Sequence, residues 1–340
     1  MEEIKFGVIG TGMIAGVVAN SIEQAENANL FAVSSRSLAN AVSFVADRKT
    51  AIAVEGVDNL LKLPDLDVVY VATPTAAKED IIFAAIAAGK HVLVEKPLPE
   101  NAAVKRMIEA AKTAGVVFMD ATHFVHHPRN DAIRAAIPEK IGEAKSLHSA
   151  FYFPIDDKDN IRYNPEQEPM GALGDMGWYS MRAVVEYLQP KGNLNKAAVV
   201  AERDEQTGAV KRMSGLIGFD SGESSTFDIG YTAGTGIMDL NLVGTNGMIS
   251  MDDFVLDWHN SFVFQESEVK TGYVHRTSMA SRKDFEFIET PAEKAADVIM
   301  VERFVALVKE QDVAALNDFA DNAFKTQQLL DAIWEVTESA

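Results

Sequence analysis

A glycine-rich turn near the start of the chain constrains its fold more than any other feature. Apolar residues 4–9 predict a short buried strand, and Gly10-Thr11-Gly12-Met13-Ile14-Ala15 follows it directly. An apolar pattern at helical spacing, through Val17, Val18 and Ile22, comes next. A strand, a tight turn and a helix in this order are typical of the first unit of a doubly wound α/β sheet.

Each small residue of this turn has a physical role. Gly10 permits the tight turn, Gly12 lets the backbone approach a pyrophosphate, and Ala15 allows close packing of helix on sheet. The N-terminus of the helix adds N–H donors and a positive dipole end. We therefore expect a dinucleotide to contact Gly10, Thr11, Gly12, Met13 and Ile14. The alternative is a structural glycine turn without a ligand.

The next predicted strand, residues 30–34, indicates which dinucleotide binds. It ends in Ser35-Arg36-Ser37, where a carboxylate would otherwise accept from a ribose 2′-hydroxyl. Hydroxyls and a guanidinium suit a 2′-phosphate, so Ser35 and Arg36 favour NADP(H), while NAD(H) stays possible. The alternative is an Arg36 that is only solvated in a loop.

The alternation of strands and helices continues to residue 120. Predicted strands are 68–72, 91–94 and 116–120, and predicted helices are 79–88 and 101–114, ending at Gly89 and Gly115. This pattern predicts an N-terminal Rossmann domain with a doubly wound parallel sheet. The loop Ala72-Thr73-Pro74 should flank a nicotinamide. Glu95-Lys96-Pro97 follows strand 91–94, at the strand end where ligands bind in such sheets; the alternative is an exposed pair before a turn.

The second half has a different pattern. Predicted strands at 146–153, 212–219, 225–231 and 237–243 are joined by turns, which indicates a large, mainly antiparallel open sheet in a C-terminal α/β domain. A helix at 177–188 should cover one face, and helices at 295–309 and 322–338 should pack back on the body. We expect a dinucleotide-binding domain at 1–122 and a substrate-binding and oligomerisation domain at 123–340.

Composition excludes several functions. The 340 residues carry a formal net charge of −19, which disfavours nucleic acid and anionic membranes as partners, and there is no cysteine for disulfides or thiolate chemistry. Redox chemistry would then need a bound organic cofactor. No apolar run reaches the ~18 residues of a membrane span, and the opening residues do not resemble a signal peptide, so we expect a cytoplasmic location.

One further motif places a carboxylate and a phenol together. In Gly174-Asp175-Met176-Gly177-Trp178-Tyr179, the residues Asp175 and Tyr179 are four apart, so they share one face if a helix begins at Asp175. The alternative is an N-cap aspartate and a core tyrosine.

Taken together, these motifs resemble the glucose-fructose oxidoreductase / inositol dehydrogenase / rhizopine-catabolism (Gfo/Idh/MocA) family. The resemblance covers essentially the whole chain, including Asn160-Ile161-Arg162 and the turn at 244–247, and is strongest to the dimeric dihydrodiol dehydrogenase and aldose dehydrogenase branch. It implies a nicotinamide cofactor between the two domains, a cis Lys96–Pro97 bond, and a catalytic set of Lys96, Asp175 and Tyr179. Thr75 and Lys78 depart from the family pattern.

The chemistry suits these residue types. Interconverting an alcohol and a carbonyl requires a group that takes and returns the hydroxyl proton. We expect Tyr179 to be this acid/base, because a nearby ammonium and the positive nicotinamide favour its phenolate. Lys96 would polarise the oxygen and anchor the cofactor ribose, and Asp175 would orient the substrate or the lysine. The expected substrate is a small polyol, sugar or cyclic diol.

Four further residues are candidates for contact with the substrate. His123, His126, Arg162 and Trp178 are candidate substrate contacts, although Arg162 could form a surface salt bridge and Trp178 could pack in the core. The three histidines at 123, 126 and 127 lack the spacing of a zinc motif, so no metal is expected.

Two other functions remain open from the sequence. One is a glycosidase that oxidises its substrate transiently with a bound nicotinamide, and the other is a cofactor-sensing regulator. The open sheet also predicts a homodimer or higher homo-oligomer, because an uncovered apolar face would otherwise be exposed.

Overall fold

The computed structural model describes residues 3–48 and 51–339, which form two compact units. The first combines Met1–His123 with Ala296–Phe324, and the second combines Phe124–Ala295 with Lys325–Ala340. These units differ from the expected domain ranges of 1–122 and 123–340 in two respects, which are that His123 and residues 296–324 group with the first unit. The domain ranges themselves stay a prediction.

The first unit contains a six-stranded sheet in the order β3-β2-β1-β4-β5-β6, and every neighbouring pair is parallel. The strands are β1 Ile4–Ile9, β2 Ala28–Ser35, β3 Ile52–Glu55, β4 Val68–Val71, β5 His91–Val94 and β6 Phe118–Asp120. The helices that follow them are α1 Met13–Gln24, α2 Leu38–Val45, α3 Val57–Leu61, α4 Lys78–Ala87 and α5 Asn101–Ala114. Strand order reverses between β1 and β4, so a crevice opens there beyond the carboxyl ends of the strands.

Burial explains why the central strands could be predicted from the sequence. All four residues of β4 are buried, as expected for a strand covered on both faces. The later helix α8, Ala296–Glu310, returns to this unit and packs Phe304 against Phe6 with ring centroids 6.1 Å apart. The doubly wound parallel sheet is therefore confirmed.

The second unit contains an eight-stranded sheet in the order β14-β13-β12-β11-β7-β10-β9-β8. The strands are β7 Ala144–Tyr152, β8 Leu194–Arg203, β9 Val210–Phe219, β10 Ser224–Gly230, β11 Ile237–Gly244, β12 Met248–Met251, β13 Gly272–Arg276 and β14 Glu286–Glu289. Only the β7–β10 pair is parallel within the described sheet, so the mainly antiparallel architecture is confirmed.

Helical segments cover one face of this sheet. A continuous helical stretch consists of a π turn at Leu173–Gly177, α7 at Trp178–Ala183 and a π turn at Val184–Leu188. It begins four residues before the predicted start at 177, because Gly171, with φ +50°, already turns the chain against the Val210 backbone. The remaining α-helices of the described residues are α6 Pro128–Ala136, which a π turn at Ile137–Ile141 follows, and α9 Val313–Ser339. Within residues 3–48 and 51–339, every helix is too short or too polar to span a lipid bilayer.

Candidate active site

The glycine turn after β1 has the geometry of a phosphate cradle. Gly10 has φ +117°, and a Cβ there would lie 2.7 Å from the Ala72 carbonyl oxygen, so only glycine fits. Gly12 is the N-cap of α1, and nothing lies within 4 Å of the position its Cβ would take. The first turn of α1 carries no acidic side chain. An anion can therefore approach the N–H groups at the start of α1 closely.

The end of β2 presents an exposed positive charge. Arg36 is exposed, and within residues 3–48 and 51–339 it makes no ion pair or hydrogen bond. The Ser37 N–H donates to Ser35 Oγ at 3.4 Å, which holds the serine turn. One carboxylate lies near this point, since Glu55 pairs with Ser35 in the parallel register. The guanidinium is therefore available to a ligand. The Glu55 carboxylate lies at the end of the neighbouring strand.

The end of β4 carries a buried hydroxyl that suits a bound group. The Ala72 N–H donates to the Ile9 carbonyl at 2.9 Å, which fixes this loop beside the glycine turn. Thr73 Oγ1 is buried and finds no hydrogen-bond partner among the described residues. Pro74 then precedes a 3₁₀ turn at Thr75–Ala77. Because buried hydroxyls normally have partners, Thr73 fits a site that a cofactor completes.

Lys96 lies at the carboxyl end of β5, between two fixed neighbours. Glu95 is buried and accepts a hydrogen bond from the Tyr70 hydroxyl at 2.5 Å. Burial raises the pKa of Glu95, and the Tyr70 hydrogen bond and the ammonium groups of Lys96 and Lys78 oppose this rise. The Lys96–Pro97 peptide bond is cis, as the resemblance implies.

Both candidate substrate histidines, His123 and His126, are buried in a 3₁₀ turn at His123–His126. Burial, with a smaller contribution from the charge of Lys96, lowers the pKa of His123 to about 3. His123 is therefore neutral at physiological pH and can donate or accept a hydrogen bond without carrying charge. His126 is fully buried.

The third histidine has a structural position. His127 is the N-cap of α6, where its Nδ1 accepts from the Arg129 N–H at 2.9 Å. Its Nε2 lies 3.2 Å from Asp257 Oδ2 and so carries the ring proton. Burial acts to raise the pKa of Asp257, but hydrogen bonds from His127, Thr271 and a backbone N–H outweigh it and lower that pKa to about 2.

In the second unit, Asp175 is paired with Arg162. Arg162 Nε donates to Asp175 Oδ2 at 2.5 Å, and the charge of Asp175 is the main cause of the raised pKa of Arg162. Both side chains are partly buried, with 28% of Arg162 and 13% of Asp175 exposed. Asp175 is not an N-cap, because it lies inside the π turn. The pair is thus more enclosed than an ordinary surface salt bridge.

Tyr179 is held by aromatic rings. Its ring lies edge-on to Phe151 with centroids 5.4 Å apart, and tilted against Phe124 at 6.1 Å. Only 7% of the residue is exposed, while the neighbouring Trp178 is fully buried. These contacts fix the direction of the phenol, and the position of Trp178 suits core packing.

The structure assigns the candidate residues to different units. Lys96 belongs to the first unit, and Asp175 and Tyr179 belong to the second, so their meeting at one cofactor stays a prediction. Sequence reasoning did not find the Tyr70–Glu95 hydrogen bond. The signal was a phenol within a fully apolar strand, because a buried tyrosine needs a partner for its hydroxyl.

Two family models match the chain. The GFO/IDH/MocA oxidoreductase family model, described as an NAD-binding Rossmann fold, matches residues 4–122, and the GFO/IDH/MocA C-terminal domain matches residues 130–250. Trans-1,2-dihydrobenzene-1,2-diol dehydrogenase of Xenopus laevis is 30% identical over 285 residues, covering 80% of this chain and 82% of that protein. The chain belongs to the GFO/IDH/MocA family.

Within the family, other relatives are similar over shorter stretches or at lower identity. The dTDP-3,4-didehydro-2,6-dideoxy-alpha-D-glucose 3-reductase of Streptomyces antibioticus is 33% identical over 210 residues, which cover 61% of this chain and only 63% of that enzyme. A solved 3-ketoreductase from Actinomadura kijaniata, in complex with NADP and TDP-benzene, superimposes with a TM-score of 0.86 at 24% identity and covers 98% of both chains. This last likeness shows the shared fold.

Proposed function

We propose that this protein is an NADP(H)-preferring oxidoreductase that transfers hydride between nicotinamide and a hydroxyl or carbonyl group of a small polyol, sugar or cyclic diol. The observation that carries the proposal is the open phosphate cradle at Gly12, at the switch point of a Rossmann sheet in a member of this family. Relatives named as sugar reductases and diol dehydrogenases support the substrate class.

The proposed cofactor contacts follow from the ends of the strands. The turn Gly10, Thr11, Gly12, Met13 and Ile14 would bind the pyrophosphate, and Ser35 with Arg36 would bind the 2′-phosphate. Ala72, Thr73 and Pro74 would flank the nicotinamide, beside Glu95, Lys96 and Pro97. Bound nicotinamide supplies the hydride acceptor or donor.

In the proposed mechanism, one side chain transfers the proton and the others position or polarise the substrate. Tyr179 would take or return the proton of the substrate hydroxyl, its ring being fixed by Phe151. Lys96 would polarise the substrate oxygen and anchor the cofactor ribose. Asp175, held by Arg162, would orient the substrate or the lysine. His123, neutral and buried, would offer a hydrogen bond to a substrate hydroxyl.

A substrate screen tests this function. Purified protein would be incubated with ketoses, aldoses, polyols and cyclic diols, and reduced nicotinamide absorbance would be followed with NADP(H) and with NAD(H). We expect turnover that is faster with NADP(H). Cleavage of a glycoside without net cofactor turnover, or cofactor binding with no turnover on any substrate, would refute the proposal.

Substitution of Arg36 by alanine tests the cofactor preference separately. Because the guanidinium would pair with the 2′-phosphate, loss of one charge-assisted contact should raise KM for NADP(H) about 10-fold or more and leave KM for NAD(H) unchanged. An equal loss with both cofactors would exclude the phosphate role of Arg36.

We also propose a cytoplasmic homodimer or higher homo-oligomer. Val200 on β8 and Leu216 on β9 are 71% and 40% exposed, and the β8–β9 register places them on the same face of the open sheet. A second copy would cover this apolar area. Light scattering should show an oligomer for the natural chain, and a lysine at either position should weaken it; a monomer at micromolar concentration would contradict this.

A further inference from the structure

Both chain neighbours of Lys96 are held by buried side chains from other elements of the first unit. On one side, the Tyr70 hydroxyl of β4 donates to the Glu95 carboxyl at 2.5 Å. On the other side, Lys78 Nζ, from the first residue of α4, donates to the Pro97 carbonyl oxygen at 2.6 Å. Hydrogen bonds from other elements thus hold the residue directly before Lys96 and the residue directly after it.

The burial of Lys78 is unusual for a lysine. The side chain is 1% exposed, although lysines are almost never fully buried unless they are paired. Its ammonium also lies 3.4 Å from Thr75 Oγ1, and its charge favours the carboxylate form of Glu95. Burying an ammonium is costly, and here the ammonium donates at 2.6 Å to the Pro97 carbonyl, in the turn that follows Lys96.

We propose that Lys78 is a positioning residue, which fixes the Lys96–Pro97 turn so that the Lys96 ammonium keeps one direction. This inference rests on the proposed function, in which Lys96 acts on the substrate oxygen. Lys78 itself touches neither reacting atom in this proposal. It acts through the backbone carbonyl of Pro97.

The expected effect of removing Lys78 is selective. A methionine keeps most of the volume of the side chain but cannot donate to Pro97, so the turn gains freedom. A small displacement of a catalytic group can lower the rate by about 100-fold, so we expect kcat to fall about 10- to 100-fold in Lys78→Met. The Kd for NADPH should rise by no more than about 3-fold, because the glycine turn and Arg36 are unchanged and only the ribose contact proposed for Lys96 is loosened.

The chain provides a matched control at the opposite end of the same sheet. Lys90 Nζ donates to the Leu66 carbonyl at 2.8 Å, and Lys90 directly precedes β5, so this bond lies at the amino ends of the strands. Lys90→Met also removes one lysine-to-carbonyl hydrogen bond. It should lower the melting temperature without changing kcat.

The experiment compares Lys78→Met, Lys90→Met and the natural chain by steady-state kinetics, NADPH titration and hydrogen exchange of peptides that cover residues 94–100. A fall in kcat with unchanged NADPH affinity, together with faster exchange in these peptides only for Lys78→Met, supports the proposal. Natural kcat in a folded Lys78→Met protein overturns it. If Lys78→Met does not fold, Lys78→Gln, which replaces the ammonium that donates to Pro97 with a shorter neutral amide, should show the same kcat-selective loss, and a kcat equal to that of the natural chain there overturns the proposal.

Failure of the proposed function gives a different result. If the natural chain turns over no substrate in the screen, the oxidoreductase proposal fails and the catalytic part of this inference fails with it. Hydrogen exchange then still tests whether the Lys78–Pro97 hydrogen bond holds the turn. Unchanged protection of residues 94–100 in Lys78→Met would overturn this part of the inference as well.

Discussion

Replacing His123 with glutamine should remove part of the pH dependence of the stability of the protein. The imidazole is buried, and burial, aided by the charge of Lys96, lowers its pKa to about 3. In the unfolded chain the pKa returns to about 6.5. Because the folded state binds the proton more weakly, this group favours folding above the unfolded pKa and loses that contribution as the pH falls below it.

The magnitude follows from the two pKa values. Between pH 7.5 and pH 5.0 the unfolded imidazole becomes protonated while the folded one stays neutral, which lowers the free energy of unfolding by about 2 kcal/mol. His123→Gln cannot take up this proton. Its free energy of unfolding should therefore fall by about 2 kcal/mol less than that of the natural chain over the same interval.

Urea unfolding followed by far-ultraviolet circular dichroism measures this quantity at both pH values. The comparison uses the difference between the two pH values for each protein, so that carboxylates common to both cancel. The exposed His148→Gln variant controls for the loss of a histidine as such. Parallel pH dependence of His123→Gln and the natural chain would show that the imidazole is not neutral and buried, and would refute the reasoning.

Two further substitutions test the packing around the site. Gly10→Ala should abolish NADPH binding and destabilise the protein by about 1–3 kcal/mol, because the new Cβ would meet the Ala72 carbonyl at a positive φ; fluorescence titration with natural affinity would contradict this. Asp253→Ala should cost about 3–5 kcal/mol in urea unfolding, because Arg129 Nη1, 2.5 Å from Asp253 Oδ1, would stay buried without its counter-charge; a cost below about 1 kcal/mol would show that the pair is not buried as described.

Local sequence signals predicted a large part of the fold. Strands β1 and β5 and helix α5 have the predicted bounds, because apolar runs there end at glycine or at charged residues. Strand β8 was not predicted, because its mostly exposed and half-buried side chains give only weak alternation. The parallel β7–β10 pair was not predicted either, because strand pairing depends on the whole sheet and not on either segment.

In the candidate site too, some features could be predicted from local sequence and others could not. The glycine turn could be read from sequence because steric limits on Gly10 act within a few residues and one neighbouring strand. The Arg162–Asp175 pair joins a 3₁₀ turn at Ile161–Tyr163 to the π turn that holds Asp175, 13 residues later, and periodicity carries no information about such a contact. The role of Lys78 was hidden for another reason, since a lysine is ordinarily expected in solvent and this one is buried.

The decisive measurement is the kcat of Tyr179→Phe with NADPH and a substrate found in the screen. The phenylalanine keeps the ring contacts with Phe151 and Phe124 and removes only the hydroxyl. If Tyr179 transfers the proton, kcat should fall about 10²- to 10⁴-fold while the Kd for NADPH is unchanged. A kcat close to that of the natural chain across the pH range would contradict the role of Tyr179 and pass proton transfer to Lys96.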